Sequence, residues 1–351
     1  PVSQRVLVLA PHLPFEVGGA EMLAETLRDE IARRGHEVDL VRLPLAWPSS
    51  REQLLASALA WRLLDLTAPG GRPVDRVIAT KFPSYVVRHP RKMVWLVHQL
   101  RQVYDLLGTA HSDFAPGGDA DDAAAVAAIR ELDRRTLGEA RAIHTISGNV
   151  RDRLERYNGL AAEVLYPPPR LFDRLVPGPY GEYVVTAGRL EPLKRFDLLV
   201  RALATTREPV RCVIAGRGRE REALAALAAR LGVADRVALP GFVPDDELVA
   251  LYAGSLAVFY APVDEDYGFV TVEAFRAAKP MVTTHDAGGV LEFVRDGENG
   301  FVCPPVPEAI GRRLDQLYRE RELAARLGAA GAPRVAGIGW DQVVRTLLET
   351  P

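Results

Sequence analysis

The feature that most constrains this chain is an alternation. Short β-rich runs and helical patterns follow one another along almost its whole length, with one proline-rich break near the middle. RVLVLA (5–10) reads as a buried first strand. A helix over 21–34 follows, with Ala20, Leu23, Leu27 and Ile31 at helical spacing and Gly35 as its stop. HEVDLV (36–41), DRVIAT (75–80), KMVWLV (92–97) and AIHTIS (142–147) continue the strand series. Residues 166–181, YPPPRLFDRLVPGPYG, hold five prolines and two glycines and suit neither helix nor strand. The rhythm then restarts with YVVTAG (183–188), RCVIAG (211–216), RVALPG (236–241), LAVFYAP (256–262) and PMVTTH (280–285). Such alternation predicts parallel sheets covered by helices on both faces. The expected fold is therefore α/β, with two doubly wound Rossmann-like domains facing across a cleft. The expected division is a first domain over 1–165, a linker over 166–181, a second domain over 182–330 and a C-terminal segment over 331–351. In that last segment Trp340, Val343, Val344, Leu347 and Leu348 share one helical face, which must dock and is expected to do so on the first domain.

Composition narrows the class. At roughly 150 residues per domain, 351 residues suit two domains. An apolar share of 48% and a charged share of 26% exclude a disordered chain, a collagen and a coiled coil. A net charge of −2 argues against a nucleic-acid partner, because backbone binding needs a basic face. No run of 18 apolar residues is present, and the six-residue run near the N-terminus is too short for a signal-peptide core. Cys212 and Cys303 lie far apart without metal-ligand spacing, which fits a reducing cytoplasm. Trp47, Leu54, Leu55, Trp61 and Leu63 with Arg51 and Arg62 admit a peripheral membrane contact at its inner face; a core-facing amphipathic helix explains them more simply. Oligomeric state is not legible. Segment 105–123 is polar, Gly/Asp-rich and expected to be mobile.

The loops after the strands carry the chemistry, since ligands of such sheets bind beyond the carboxyl ends of the strands. After the first strand, PHLPFEVGGAE (11–21) places Gly18 and Gly19 where a helix begins. They read either as a diphosphate cradle, with backbone N–H groups at a helix N-terminus, or as a plain strand-to-helix turn. The pattern is not GxGxxG, and no acidic residue is placed for a dinucleotide ribose. In AGRLEPLKRFD (187–197), Arg189 and Lys194 suit a doubly charged leaving group, or else a solvated surface. Arg195, Arg201 and Arg207 are read as solvated surface. In APVDEDYGFVTVEAFRAAKP (261–280), Glu265 lies in a loop and Glu273 on an apolar helix. A carboxylate among Val272, Ala274 and Phe275 is costly unless hydrogen-bonded, and a ribose diol offers it two donors. A helix-dipole role is the plainer reading of Glu273. The backbone N–H groups of Gly268, Phe269 and Val270 open that helix and can face an anion. His98 ends the strand MVWLV; it is a site residue or a histidine satisfied by backbone. His12 lies near the glycine loop without comparable support.

With these residues in view, the chain resembles the family 4 glycosyltransferases of the GT-B fold. The resemblance rests on GGAE, GRLEPLKRFD, LPGFVPDDELVALYA (239–253), the E-x7-E stretch and HDAGGVLEFVRDGENGFVCPP (285–305), in that order. It implies a retaining hexosyltransferase that moves sugar from a UDP- or GDP-sugar to an acceptor hydroxyl on a glycan, a lipid-linked sugar or a small metabolite. It further implies that Gly18 and Gly19 approach the donor phosphate and that Arg189 and Lys194 neutralise the diphosphate. Glu273 would bind the ribose, Glu265 the transferred sugar, and backbone at Gly216, Arg217 and Val243 would flank the base. His98 would stand near the reacting centre, with the acceptor pocket close to Gly18, His98 and 105–123. Tyr267 replaces a small residue or proline and is expected to alter sugar selectivity.

The nucleoside-diphosphate sugar is then a co-substrate, and no cofactor or metal is expected. Asp264-Glu265-Asp266 has the form of a metal-binding DxD, but the two cations already supply the positive charge. A glycosidase pair at Glu265 and Glu273 would leave the phosphate loops idle. A nucleotide-sugar epimerase fits the E-x7-E cluster less well. A scaffold subunit without turnover would be expected to lose the charged residues retained here.

Overall fold

The computed structural model describes residues 3–15, 18–45, 49–109, 111–114 and 120–350. The chain divides into two compact units, one comprising residues through Arg170 together with those from Gly339 onward, the other Leu171–Ile338.

In the first unit the order is β1 (Arg5–His12), α1 (Gly19–Arg33), β2 (Glu37–Pro44), α2 (Arg51–Leu63), β3 (Arg76–Lys81), β4 (Lys92–His98), α3 (Ala120–Leu137), β5 (Ala142–Thr145), α4 (Gly148–Asn158) and β6 (Glu163–Val164). The sheet is parallel throughout, in the order β2-β1-β3-β4-β5-β6. β3 and β4 are apolar runs because both their faces are covered, whereas the edge strand β2 alternates exposed and half-buried residues. Helix starts follow side-chain chemistry: the Ser147 hydroxyl accepts the Val150 N–H at 3.1 Å, and Ser50 and Gln53 form a reciprocal cap on α2.

In the second unit the order is β7 (Tyr183–Ala187), α5 (Phe196–Leu203), β8 (Arg211–Ala215), α6 (Arg221–Arg230), β9 (Val237–Gly241), α7 (Asp245–Gly254), β10 (Ala257–Phe259), α8 (Phe269–Arg276), β11 (Met281–Thr284), β12 (Gly300–Cys303), α9 (Pro307–Arg319) and α10 (Arg321–Val335). Its parallel sheet runs β12-β11-β10-β7-β8-β9. The winding direction thus reverses between β7 and β10; in the first unit it reverses between β1 and β3. Such reversal points open the loops on either side and are where doubly wound sheets take ligands.

The last helix, α11 (Trp340–Glu349), belongs to the first unit. Val343, Val344, Leu347 and Leu348 are buried, a gross gain of about 6–12 kcal/mol at ~1.5–3 kcal/mol each. The Trp340 ring meets Trp95 edge-on at 6.2 Å, and Gln4 and Arg76 donate to the Leu348 and Thr350 carbonyls at 3.2 and 2.7 Å.

Two expectations need amending. From Leu171 the proline-rich segment is part of the second unit: Tyr180 donates to the Ala278 carbonyl at 2.7 Å, and the Lys279 ammonium donates to the Gly178 and Pro179 carbonyls at 2.9 and 2.8 Å. Burial pushes that ammonium down to about 8. The polar segment 105–123 is anchored where it is described, because it carries apolar anchors. Leu106 and Phe114 are buried, Gln102 donates to Asp113 at 2.9 Å and α3 begins at Ala120; Ala110 and residues 115–119 lie outside the described residues. The α2 residues that admit either a membrane-facing patch or a core-facing helix divide between two faces. Leu54 and Trp61 point into the core, Leu55 and Leu63 point outward, Arg62 pairs with Glu139 and Arg51 with Asp122, and Trp47 lies outside the described residues. No helix among the described residues is long and apolar enough to cross a membrane.

Candidate functional site

At the reversal point of the second unit, the loop after β7 ends in a short turn, Pro192–Lys194, and the loop after β10 carries Glu265. The Lys194 ammonium forms a close ion pair with the Glu265 carboxylate and donates to the Tyr260 hydroxyl at 2.9 Å. Tyr260 in turn donates to Glu265 Oε2 at 2.6 Å. Burial would push the Glu265 carboxyl up, but the Lys194 charge and the hydrogen bonds from Lys194 and Tyr260 outweigh it. The group therefore lies below the usual carboxylate range. The Tyr260 phenol is pushed well above its ordinary value, first by burial and then by the Glu265 charge, so it remains a donor. Glu273 stands in the second turn of α8, and its Oε2 accepts the Tyr252 hydroxyl at 2.7 Å.

Backbone ladders fix these loops. Val263 N–H donates to Leu193 at 2.9 Å, Asp264 N–H to Asp286 at 2.9 Å and Gly289 N–H to Glu265 at 2.8 Å. Gly288 has φ +62°, and a Cβ there would lie 2.6 Å from the Glu265 carbonyl oxygen, so only glycine lets the two loops meet. Arg195 corrects the solvated-surface reading. Its guanidinium donates to the Ala261 and Pro262 carbonyls, to Thr284 Oγ1 and to both oxygens of Asp286, at 2.7 to 2.9 Å. The sequence shows an arginine among arginines; three converging loops make it a staple. Arg201 pairs with Asp197 on the surface, and Arg207 is exposed.

The other expected donor residues follow β7, β8, β9 and β10 of the same sheet. Arg189 is exposed in the loop after β7. Gly216 and Arg217 follow β8; Gly216 N–H donates to Gly241 at 2.8 Å, and a Cβ on Gly216 would stand 1.8 Å from the Gly188 carbonyl oxygen. Val243 is buried, and the side chain displayed beside it is Phe242, 64% exposed with the Arg217 guanidinium 5.5 Å from its ring. Gly268 caps α8, and Phe269 and Val270 form its first turn. Tyr267 is buried, its ring edge-on against Phe269 and Phe293 at 5.0 and 5.7 Å. Among the described residues no group of three or more His, Cys, Asp or Glu gathers as for a metal ion.

The first unit has its own pair at its own reversal point. Gly18 is the N-cap of α1 and its N–H donates to Glu21 Oε2 at 3.0 Å; Gly19 is the first helical residue. Glu16 and Val17 of that loop lie outside the described residues. Glu21 Oε1 accepts the Lys81 ammonium at 2.7 Å, and Lys81 is in register with His98 on β4. His98 Nδ1 lies 2.6 Å from the Gln99 carbonyl oxygen, a contact that places the ring proton on Nδ1. Behind it runs a buried chain: Gln99 donates to Asn158 at 2.9 Å, Asn158 to the Tyr104 hydroxyl at 3.1 Å and Tyr104 to Asp133 at 2.9 Å. Burial pushes Asp133 up to about 7 against the hydrogen bond from Tyr104.

Sequence reasoning singled out Lys194, Glu265 and Glu273 but not the side chains that hold or neighbour the candidate residues, namely Tyr252, Tyr260, Phe242, Arg195, Glu21 and Lys81. Glu21 carried a signal, standing three residues after Gly18 in capping-box spacing. The tyrosines carried none, because an aromatic in an apolar run reads as core.

Two doubly wound parallel sheets with charged clusters beyond their strand ends define a chain of the GT-B class. Sucrose-phosphate synthase from Thermosynechococcus elongatus shares this fold over 99% of this chain and 98% of its own, with TM-score 0.79 and 16% identity. HepE of Anabaena, solved with UDP and glucose, does so over 99% of both chains, with TM-score 0.71 and 18% identity. Residues 17–168 match the Glycosyltransferase Family 4 model and residues 173–334 the Glycosyl transferases group 1 model. The chain belongs to this family 4 group of glycosyltransferases. A D-inositol 3-phosphate glycosyltransferase of Nocardia farcinica is 31% identical over 248 residues, 63% of this chain and 53% of the relative. The chain spans about half the length of the curated relatives it matches.

Proposed function

We propose that this protein transfers a hexose-type sugar from a nucleoside-diphosphate sugar, UDP- or GDP-linked, to an acceptor hydroxyl, with retention at the anomeric carbon and without a metal. The observation that carries the reading is the Lys194–Tyr260–Glu265 cluster, held at the reversal point of the family-matched unit with Glu273 on the adjoining helix. A diphosphate arriving there exchanges one anionic partner of Lys194 for another. Lys194, with the exposed fork of Arg189, offsets the charge that builds on the departing phosphate, the kind of contribution that is usually the largest in catalysis. Glu265, relieved of part of its ion pair, accepts hydroxyls of the transferred sugar. Glu273 accepts the ribose hydroxyls, and the N–H groups at Gly268, Phe269 and Val270 meet phosphate oxygen. Backbone at Gly216, Arg217 and Val243 flanks the base. In the first unit Gly18, Gly19 and His98 serve the donor phosphate and the acceptor. The leaving phosphate oxygen takes the acceptor proton, so no side chain need act as nucleophile. The Nocardia relative acts by name on D-inositol 3-phosphate, which makes a phosphorylated polyol the first acceptor to try, ahead of glycans, lipid-linked sugars and small metabolites. Free, buried Cys212 and Cys303 suit a reducing cytoplasm.

The test is a panel of UDP- and GDP-sugars, read by thermal stabilisation and by donor hydrolysis with and without EDTA. One donor that raises the melting temperature and turns over in EDTA supports the reading. Binding without turnover on any acceptor or on water would favour a scaffold subunit, and loss of turnover in EDTA would overturn the metal-free part.

A further inference from the structure

The two glutamates of the E-x7-E stretch share a device that the donor reading does not use. Each carboxylate receives a buried phenol on its Oε2: Tyr252 on Glu273 at 2.7 Å and Tyr260 on Glu265 at 2.6 Å. Tyr260 also touches Lys194, so its effects would be shared between two charged groups. Tyr252 is the cleaner case. It is fully buried and sits in the last turn of α7, away from solvent. Its backbone is pinned: the Ser255 N–H and hydroxyl both donate to the Tyr252 carbonyl, at 3.2 and 2.9 Å, and Tyr183 donates to the Leu251 carbonyl at 2.8 Å. Burial, reinforced by the Glu273 charge, holds the Tyr252 phenol well above its ordinary value, so it donates throughout the working pH range. A rigid donor on a fixed helix therefore selects one rotamer of a carboxylate on the neighbouring helix. Hydrogen bonds to ionised groups are short, strong and directional.

We infer that Tyr252 is a positioning residue that aims Glu273 at the ribose hydroxyls and thereby sets the preference for a ribonucleoside over a deoxyribonucleoside diphosphate. The inference rests on the donor reading above. A phenol that only filled the core would stabilise the fold without distinguishing one sugar of the nucleotide from another. A phenol that aims Glu273 matters only when the hydroxyls that Glu273 reads are present. The two roles therefore differ in which ligand notices the change.

The experiment is calorimetric titration of UDP and GDP, and of their 2′-deoxy and 3′-deoxy counterparts, into the wild-type protein, Tyr252→Phe, Glu273→Gln and the double variant. For the ribonucleotide that binds, Tyr252→Phe should weaken affinity by about tenfold, the worth of a charge-assisted hydrogen bond, with the deoxy counterpart nearly unchanged. The double variant should bind no more weakly than Glu273→Gln alone, because the phenol acts through the carboxylate. Equal weakening of ribo- and deoxynucleotide, or none, would overturn the positioning role while leaving the donor reading intact. If Tyr252→Phe fails to fold, Glu273→Gln still decides, since a ribose preference that survives it leaves Tyr252 nothing to aim. A wild-type protein that binds neither UDP nor GDP would overturn the donor reading, and this inference with it.

Discussion

Each unit places one lysine–glutamate pair at the point where its sheet reverses direction, and the two pairs are built differently. In the second unit Lys194 and Glu265 join the loops after β7 and β10, with the Tyr260 phenol between them. In the first unit Lys81 at the end of β3 meets Glu21 inside the first turn of α1, and the other oxygen of Glu21 is spent on the Gly18 N–H. Glu21 therefore fixes the start of a helix, whereas Glu265 stands in a loop between an ammonium and a phenol, its other oxygen accepting the adjacent Asp266 N–H at 3.3 Å. On the proposed donor reading, the first geometry holds a helix start and the second presents opposite charges that a diphosphate would separate. Position in the topology says where a ligand could bind, and the local hydrogen bonds say which pair is available to it.

The contrast can be broken most directly by removing both lysines in turn. Lys194→Ala should lower turnover by about 10²–10³, as loss of a preorganised cationic donor does, and should also cost about 1–3 kcal/mol of stability, because it strips the cation from a Glu265 carboxylate that is only 14% exposed. Lys81→Ala should cost a similar stability, about 1–3 kcal/mol, since it leaves a half-buried Glu21 short of its partner, with a much smaller change in turnover. Chemical denaturation beside steady-state kinetics reads both, and equal kinetic losses would erase the distinction. Glu273→Ala comes next, weakening nucleotide binding by about 10- to 100-fold with a smaller change in turnover of bound donor. Arg195→Met should cost about 2 kcal/mol, because carbonyls and a carboxylate lose their donor, and should lower turnover indirectly through the Glu265 loop. A melting temperature that stayed put would return Arg195 to the solvated surface.

The smallest expected effect concerns Asp133, behind the first unit's pair. Its value in the folded chain lies near 7, above the ordinary carboxylate range. A carboxyl raised by folding contributes stability that is complete below its unfolded value near 4 and is lost as pH rises through about 7. Asp133→Asn, which keeps an acceptor for Tyr104, should therefore gain more in melting temperature at pH 8 than at pH 5, by about 4 °C. A gain independent of pH would show that the group is not buried as the neutral acid.

How much was legible depended on whether a residue's role is local. β3 and β4 could be read because burial on both faces demands continuous apolar runs. Glu273 stood out because a carboxylate in an apolar helix needs a reason. In segment 105–123 the polar composition hid Leu106 and Phe114, which are buried and anchor its described part from within. The leucines of α2 were split because helical spacing gives a periodicity without saying which face the core will take; Leu54 went in and Leu55 stayed out.

Sequence by itself determined the α/β class, the division into two doubly wound halves and the loops that hold charge. These follow from periodicity and from residue types at strand ends, which are local properties of the chain. Tertiary structure alone decided the distant partners: Tyr252 for Glu273, Lys194 for Glu265 and Asp286 for Arg195, at separations of 21, 71 and 91 residues. A hydrogen bond needs its atoms within about 3 Å. Crossover connections in a parallel sheet bring together residues whose spacing in sequence carries no trace of that approach.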